Sequence, residues 1–334
     1  MMLMRSLLRP ALAALALLAA QAAGAKDTLK FGYLADPSHE AVLWALKNGK
    51  VASDKIAVEA TPLDISALIQ ATAARTYDVV QTAAMSIPRA RERGLDLRII
   101  GTALRYHRSG EGAGIWVKKD SPIRSVAELK GKKLAVYSIG SAGITLIRIA
   151  LNKVHGFNVA TQGGDVEFVE MPAPAMPAAL ASGRVDAATL IHAQAYQAMQ
   201  TGEFRPIAQT AEDITKAFGV RAVSAVLAGY GEKLDAKPEL YQEFQKLLRA
   251  SMEYARKNPQ EVFTAVGKDT NLDPGFFEAW FSRFSDFPAA IAESDVKAID
   301  LLWSEAVKLK LLDKHPKAAD VLWAKALREE SLGP

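Results

Sequence analysis

From Thr28 onward, short β-branched runs alternate with alanine-rich stretches whose apolar residues recur at helical spacing. No other feature constrains the fold as much. Leu29–Leu34 reads as a strand, Glu40–Lys47 as a helix with Val42, Leu43 and Leu46 on one face, and Ile56–Ala60 as a second strand. A helix from Asp64 through Leu68, Ile69 and Ala73 leads to a strand at Tyr77–Gln81. A further helix over Ala84–Arg93 precedes a strand at Leu97–Leu104. Repeated β–α–β units argue for a mostly parallel sheet with helices on both faces.

The polar segment Arg105–Gly114, with three glycines, breaks the rhythm. A second set follows, with strands near Gly114–Val117, Lys133–Tyr137, Val166–Glu170, Val185–Ile191 and Arg205–Gln209. Its helices cover Ser141–Lys153, Ala175–Ala181 and Ala193–Gln200. Ala222–Tyr230 reads as one more strand. From Pro238 only helices are expected: Glu239–Lys257, Gln260–Ala265, Pro274–Phe284, Ala292–Lys308 and Ala318–Arg328. A weak internal echo links Ala67–Val80 to Ala179–Ala188. In each copy a helix ends, an aspartate (Asp78 or Asp186) marks the turn, and a buried strand begins. These aspartates read as caps for backbone amides. Two α/β halves joined by polar crossings predict a two-lobed protein with a cleft.

The first 25 residues differ from the rest. Arg5 and Arg9 precede an unbroken Ala/Leu run, Ala11–Ala20, and the segment ends Ala23-Gly24-Ala25. That pattern predicts a cleaved secretory signal, since the run is about half the roughly 20 residues a spanning helix needs. With its two arginines removed, the chain carries 39 basic and 37 acidic residues. So small an excess gives no argument for nucleic acid. The chain has no cysteine, which excludes thiol chemistry, disulfides and a lipid-bearing cysteine after the leader. The expectation is a freely diffusing periplasmic monomer.

The ordered motifs are specific. They comprise Leu29-Lys30-Phe31-Gly32-Tyr33, Asp78–Ala84, Ala90-Arg91-Glu92-Arg93-Gly94, Lys118–Ile123, Leu129–Val136, Gly140-Ser141 and Met176–Ala187. Over Leu29 to Gln209 the chain resembles the solute-binding components of ABC importers, in the nitrate/sulfonate/taurine and thiamine-precursor (NMT1-like) group. The resemblance implies a type II periplasmic-binding-protein fold. Residues 1–25 would be the signal, 26–108 the first part of lobe 1, 109–218 lobe 2, and 219–334 the return to lobe 1 with a helical C-terminal tail. It also implies a solute captured by lobe closure and a permease partner in the inner membrane. Relatives often carry a second hydroxyl residue after the serine of Gly140-Ser141; here Ala142-Gly143 stands instead.

In open α/β sheets ligands bind beyond the carboxyl ends of the strands. That rule selects Ala35–His39, Thr82–Ser86, Ser138–Gly143 and His192–Gln194. The candidate ligand-binding residues are Asp36, Ser38, His39, Thr82, Ala83, Met85, Ser138, Gly140, Ser141, Ala142 and His192, with Arg105 as charge partner. A helix beginning near Ala142 would offer free amides and a positive dipole to a sulfonate or carboxylate, although Ser141 also suits a plain N-cap. His39, His107 and His192 fall on cleft segments, but no acidic cluster accompanies them, so no metal or other cofactor is expected. The reading is a small organic anion, aromatic bodies included, with thiamine-pyrimidine precursors and nitrate as alternatives. No P-loop, G-x-S-x-G or dinucleotide fingerprint is present, and no catalytic residue is assigned. An enzyme on the same fold remains the less favoured alternative.

Overall fold

The structure, a computed structural model, describes residues 26–107 and 110–331. The expected signal at residues 1–25 lies outside them.

The first β–α units are β1 (Asp27–Leu34), α1 (Pro37–Lys47), β2 (Ile56–Leu63), α2 (Ile65–Ala74), β3 (Val79–Ala83), α3 (Ser86–Glu92) and β4 (Leu97–Tyr106). Aspartates start two of these helices. Asp36 accepts from the Ser38 amide at 2.9 Å, and Asp64 from the Ala67 amide at 2.7 Å, which satisfies donors a helix start leaves unpaired. The second set is β5 (Ala113–Lys118), β6 (Lys132–Val136), α4 (Ala142–Lys153), β7 (Val166–Glu170), α5 (Met176–Ala181), β8 (Ala187–Ile191), α6 (His192–Thr201) and β9 (Phe204–Gln209). After α7 (Thr210–Phe218) the chain returns through β10 (Val223–Tyr230). It finishes in α8 (Gly231–Ala236), α9 (Pro238–Lys257), α10 (Pro259–Thr270), α11 (Pro274–Ala279), β11 (Ser285–Asp286) and α12 (Glu293–Lys308).

Two sheets result. The first runs β11-β4-β10-β3-β1-β2 and the second β7-β6-β8-β5-β9. The backbone therefore crosses between sheets twice, after β4 and after β9. The sheets are more mixed than the sequence pattern predicts. β10 is antiparallel to both β3 and β4, and β5 is antiparallel to β8 and β9. Hydropathy alternation reports burial, not strand direction, so a strand arriving from the opposite side reads identically.

The internal echo has a structural counterpart. Asp78 accepts from the Lys30 amide of β1 at 2.9 Å, and Asp186 from the Lys133 amide of β6 at 2.8 Å. Each aspartate stitches the strand it precedes to that strand's parallel neighbour. Most of the tail is helical as expected, with two departures. The expected helix Pro274–Phe284 winds out into a π turn at Trp280–Phe284. The expected helix Ala318–Arg328 is a short 3-10 turn, Ala318–Val321, followed by extended chain. There Leu322 bridges Ile99 of β4, and the Trp323 amide donates to the Ile99 carbonyl at 2.9 Å. Pairing with a sheet edge replaces the helical bonds this short stretch would otherwise make.

Candidate functional site

The two sheets face each other across a cavity of about 70 Å³. Strand ends and helix starts from both sides line it. The first sheet contributes Leu34, Gln81, Thr82, Leu104, Tyr106 and Ser224; α2 adds Ile65, Leu68 and Ile69. The second contributes Tyr137, the first turn of α4 from Ser141 to Gly143, and Ile191 with His192. The walls are mostly aliphatic, and the polar groups gather around α4.

Ser141 caps α4: its Oγ accepts from the Ile144 amide at 3.2 Å and donates to the Ser138 carbonyl at 2.9 Å. Among the described residues, the Ala142 and Gly143 amides have no hydrogen-bond partner. Beside them lie two phenols. A Cβ at position 143 would collide with Tyr137 Oη and sit 3.3 Å from Tyr106 Oη. Only glycine leaves room there. Burial pushes both phenols up, that of Tyr137 well above the usual tyrosine value. Both therefore stay neutral and able to donate. Ser224 approaches Tyr106 closely enough to oppose that upward shift. Tyr137 likewise lies within reach of both Tyr106 and Ser141, while buried Ser224 Oγ has no hydrogen-bond partner.

Among the described residues, the contacts that tie the two sides together include three polar ones. His192 Nδ1 lies 3.1 Å from Asp36 Oδ2. Arg89 of α3 donates to the Gly140 carbonyl at 2.6 Å. Lys153 of α4 lies 3.1 Å from Glu305 of α12. His192 holds a left-handed backbone, φ 48°, with its amide on the Gly112 carbonyl at 2.9 Å. A non-glycine residue costs about 1–3 kcal/mol there, so contacts at both ends of His192 hold it in place.

Burial disfavours the Asp36 charge, but pairing with His192 and His39 outweighs it and holds the carboxyl well below the usual carboxylate range. His39 goes the other way. Burial lowers its pKa despite nearby Asp36, and its bonds match a neutral ring. Gln81 Oε1 accepts from the Leu34 amide at 3.1 Å, so Gln81 Nε2 donates to His39 Nε2 at 2.8 Å. That leaves His39 Nδ1–H to donate to Ser38 Oγ at 3.2 Å.

Of the candidate residues, Thr82, Ala83, Ser141, Ala142 and His192 line the cavity. Asp36, Ser38 and His39 form the buried network behind His192. Met85 is fully buried in the first core. Ser138 and Gly140 contribute carbonyls, to the Ser141 hydroxyl and to Arg89. Arg105 does not serve as a charge partner in the cavity. It sits 3.1 Å from Asp295, 2.8 Å from Glu329 and 3.7 Å from Asp286. Burial disfavours its charge, but Glu329 and Asp295 more than compensate. The reason is strand parity: adjacent β4 residues face opposite ways, so Tyr106 takes the cavity and Arg105 takes the tail. His107 lines a separate surface hollow with Arg221 and Arg256.

Tyr106, Tyr137 and Ser224 were not among the candidates. Tyr137 immediately precedes the Ser138–Gly143 loop, and extending that loop backward by one residue reaches it; Tyr106 follows the candidate Arg105 at the end of β4, where no strand-end loop was selected. Ser224 belongs to a strand from the far end of the chain, and no local signal marks it. Among the described residues, no group of acidic or histidine side chains could hold a metal. No described helix is long and apolar enough to cross a membrane.

Comparison with known proteins places this architecture. The periplasmic aliphatic sulphonate binding protein SsuA from Escherichia coli superposes with a TM-score of 0.69 at 16% identity, covering 90% of this chain and 92% of that one. The alkanesulfonate-binding protein SsuA from Xanthomonas axonopodis pv. citri, bound to MOPS, gives 0.70 at 18%, covering 91% and 100%. The ligand binding component of an ABC-type import system from Staphylococcus aureus, with zinc bound, gives 0.68 at 16%, covering 89% and 97%. At these identities the likeness establishes the fold, that of periplasmic binding proteins. No curated protein matches the sequence. The family profile described as NMT1/THI5 like matches residues 36–262, and the chain belongs to that family.

Proposed function

We propose that this protein is the solute-binding component of an ABC importer. It captures a small organic anion, a sulfonate or a carboxylate, by lobe closure and delivers it to a membrane permease. The observation that carries the reading is the first turn of α4, whose unpaired Ala142 and Gly143 amides open into a cavity shared by both sheets. A helix N-terminus bears a partial positive charge and suits an anionic head. The aliphatic walls suit a short apolar body. The contacts between sheets give closure a physical basis, as hinge movements of such proteins require. Export by residues 1–25 as a cleaved signal, and action as a monomer in the periplasm, complete the proposal. The role is binding, not catalysis.

A thermal-shift screen of alkanesulfonates, short carboxylates, nitrate and pyrimidines tests it. A ligand at 100 times its Kd should add about 2.7 kcal/mol, and micromolar affinity needs only about −8 kcal/mol. Stabilisation by sulfonates or carboxylates supports the reading. Stabilisation by neutral pyrimidines or sugars alone overturns the anion assignment.

A further inference from the structure

We propose that His192 supplies the positive charge of the cavity: the anion binds together with a proton, which His192 takes up on the ring nitrogen that faces the ligand. The inference rests on the anion reading above and adds to it.

Among the described residues that line the cavity there is no lysine, arginine, aspartate or glutamate. The two phenols stay neutral, and the first turn of α4 offers about half an elementary charge. Enclosing a full negative charge with no further partner is unfavourable. His192 lines the cavity, is 2% exposed, and carries the side chain there that can become a cation.

The ring is held in the orientation this role needs. Nδ1 lies 3.1 Å from Asp36 Oδ2. Asp36 is ionised, so Nδ1 carries a hydrogen and donates it. The second ring nitrogen, Nε2, points nearly the opposite way and has no hydrogen-bond partner among the described residues. A neutral ring would turn the Nε2 lone pair toward the anion, with the Asp36 charge directly behind. With both nitrogens protonated, His192 donates to the ligand from one and to Asp36 from the other. The added proton thus separates two negative charges that would otherwise share one wall. The left-handed backbone of His192, φ 48°, fits this role, since strain of that kind collects where a side chain must be aimed.

His39 does not compete for the proton. Its ring lies parallel to that of His192, 6.3 Å between centroids, but Gln81 donates to its Nε2 and its own Nδ1–H goes to Ser38. Burial, with the His192 charge adding to it, lowers the His39 pKa in spite of Asp36. Only one of the two rings is therefore charged. The remaining surroundings bring no second cation to the cavity. Trp280 meets the His192 ring edge-on at 6.5 Å, and Tyr106 and Tyr137 are uncharged. Glu111, beside the Gly112 carbonyl, pairs with Arg283. Tyr196, one turn along α6, has Asp273, Glu278 and Arg283 around it.

The test is calorimetric titration of the full chain with propionate and ethanesulfonate at about pH 6, 7 and 8, where the charge of both probes is constant. Affinity should rise as pH falls, by up to about tenfold per unit, until His192 is charged in the free protein. The heat should vary with the ionisation heat of the buffer, which reports proton uptake. His192→Asn should abolish both effects. Asparagine tolerates the left-handed backbone and keeps a donor for Asp36, but takes up no proton. Asp36→Asn should reduce the uptake with the imidazole still in place. Propionamide, the same body without the charge, should bind more weakly and take up no proton; uptake equal to that of propionate would mean that the proton serves the contact with Asp36 and not the ligand. If a variant fails to fold, ring-nitrogen NMR of the wild type decides, since ligand should convert His192 to the doubly protonated form. A flat pH profile in a wild type that binds either anion, or a His192→Asn protein that keeps the slope, overturns this inference and leaves the anion reading standing. A wild type that binds no anion in the wider screen overturns both.

Discussion

The carboxylate of Asp36, at the start of the first helix, meets Nδ1 of His192, just after a strand of the opposite sheet, at a distance of 3.1 Å. Because His192 also lines the cavity, one side chain touches both that cavity and the other half of the molecule. Asp36→Ala should therefore weaken ligand binding without removing a ligand contact. Apparent affinity falls with the fraction of molecules able to close, and about tenfold is expected. Small-angle scattering should show a more open average shape in the ligand-free variant. Scattering identical to wild type would count against the latch.

Acid should release that latch. The Asp36 carboxyl is held well below its usual range by His192 and His39 in spite of burial. A depressed carboxyl stabilises fully above its unfolded pKa of about 3.9 and loses that contribution as pH falls through the folded value. The melting temperature should drop below about pH 4, and the drop should be shallower in Asp36→Asn. Equal acid sensitivity in the two proteins would assign the effect to other carboxylates.

His39 is held neutral chiefly by burial. A histidine with a lowered folded pKa costs stability once pH falls below its unfolded value of about 6.5, because only the unfolded chain readily takes the proton. In NMR titrations the His39 ring should change ionisation at a lower pH than an ordinary histidine. A midpoint at or above the ordinary value would contradict the bonding with Gln81 and Ser38.

Arg105→Ala should damage folding and spare binding. Asp295 is 1% exposed and takes Arg105 at 3.1 Å. Removing one partner of a buried ion pair costs about 3–5 kcal/mol. Chemical denaturation should show the loss, while ligand affinity of the folded fraction stays close to wild type. A large affinity loss in a fully folded protein would return Arg105 to the cavity.

Backbone strain at His192 separates two substitutions of similar size. With φ at 48°, glycine is tolerated and alanine is not, so His192→Gly should be more stable than His192→Ala by about 1 kcal/mol. The reverse order would mean the loop relaxes once the imidazole is gone.

What the sequence reveals about this fold is what repeats locally. The spacing of Val42, Leu43 and Leu46, the paired aspartates at 78 and 186, and Ser141 ahead of an apolar helix each report a nearby turn or face. Pairing direction was not legible, because β10 enters the first sheet from more than a hundred residues away. The cavity was half legible for a related reason. Strand-end loops are visible in a sequence, so Thr82, Ser141 and His192 could be marked. Which of two neighbouring side chains points inward depends on strand register, and that exchanged Arg105 for Tyr106. Ser224 needed the tertiary structure itself.

The order β4-β10-β3 has a consequence for how the chain comes together in time. The two strands flanking β10 pair with it and not with each other. As the chain grows from its N-terminus, β3 and β4 both exist while the place between them stays empty, and the whole second sheet is made before the filler arrives. Contacts of such long sequence separation form slowly. The first lobe therefore cannot complete its sheet until the chain through Tyr230 is available, and its central strand acts as a keystone.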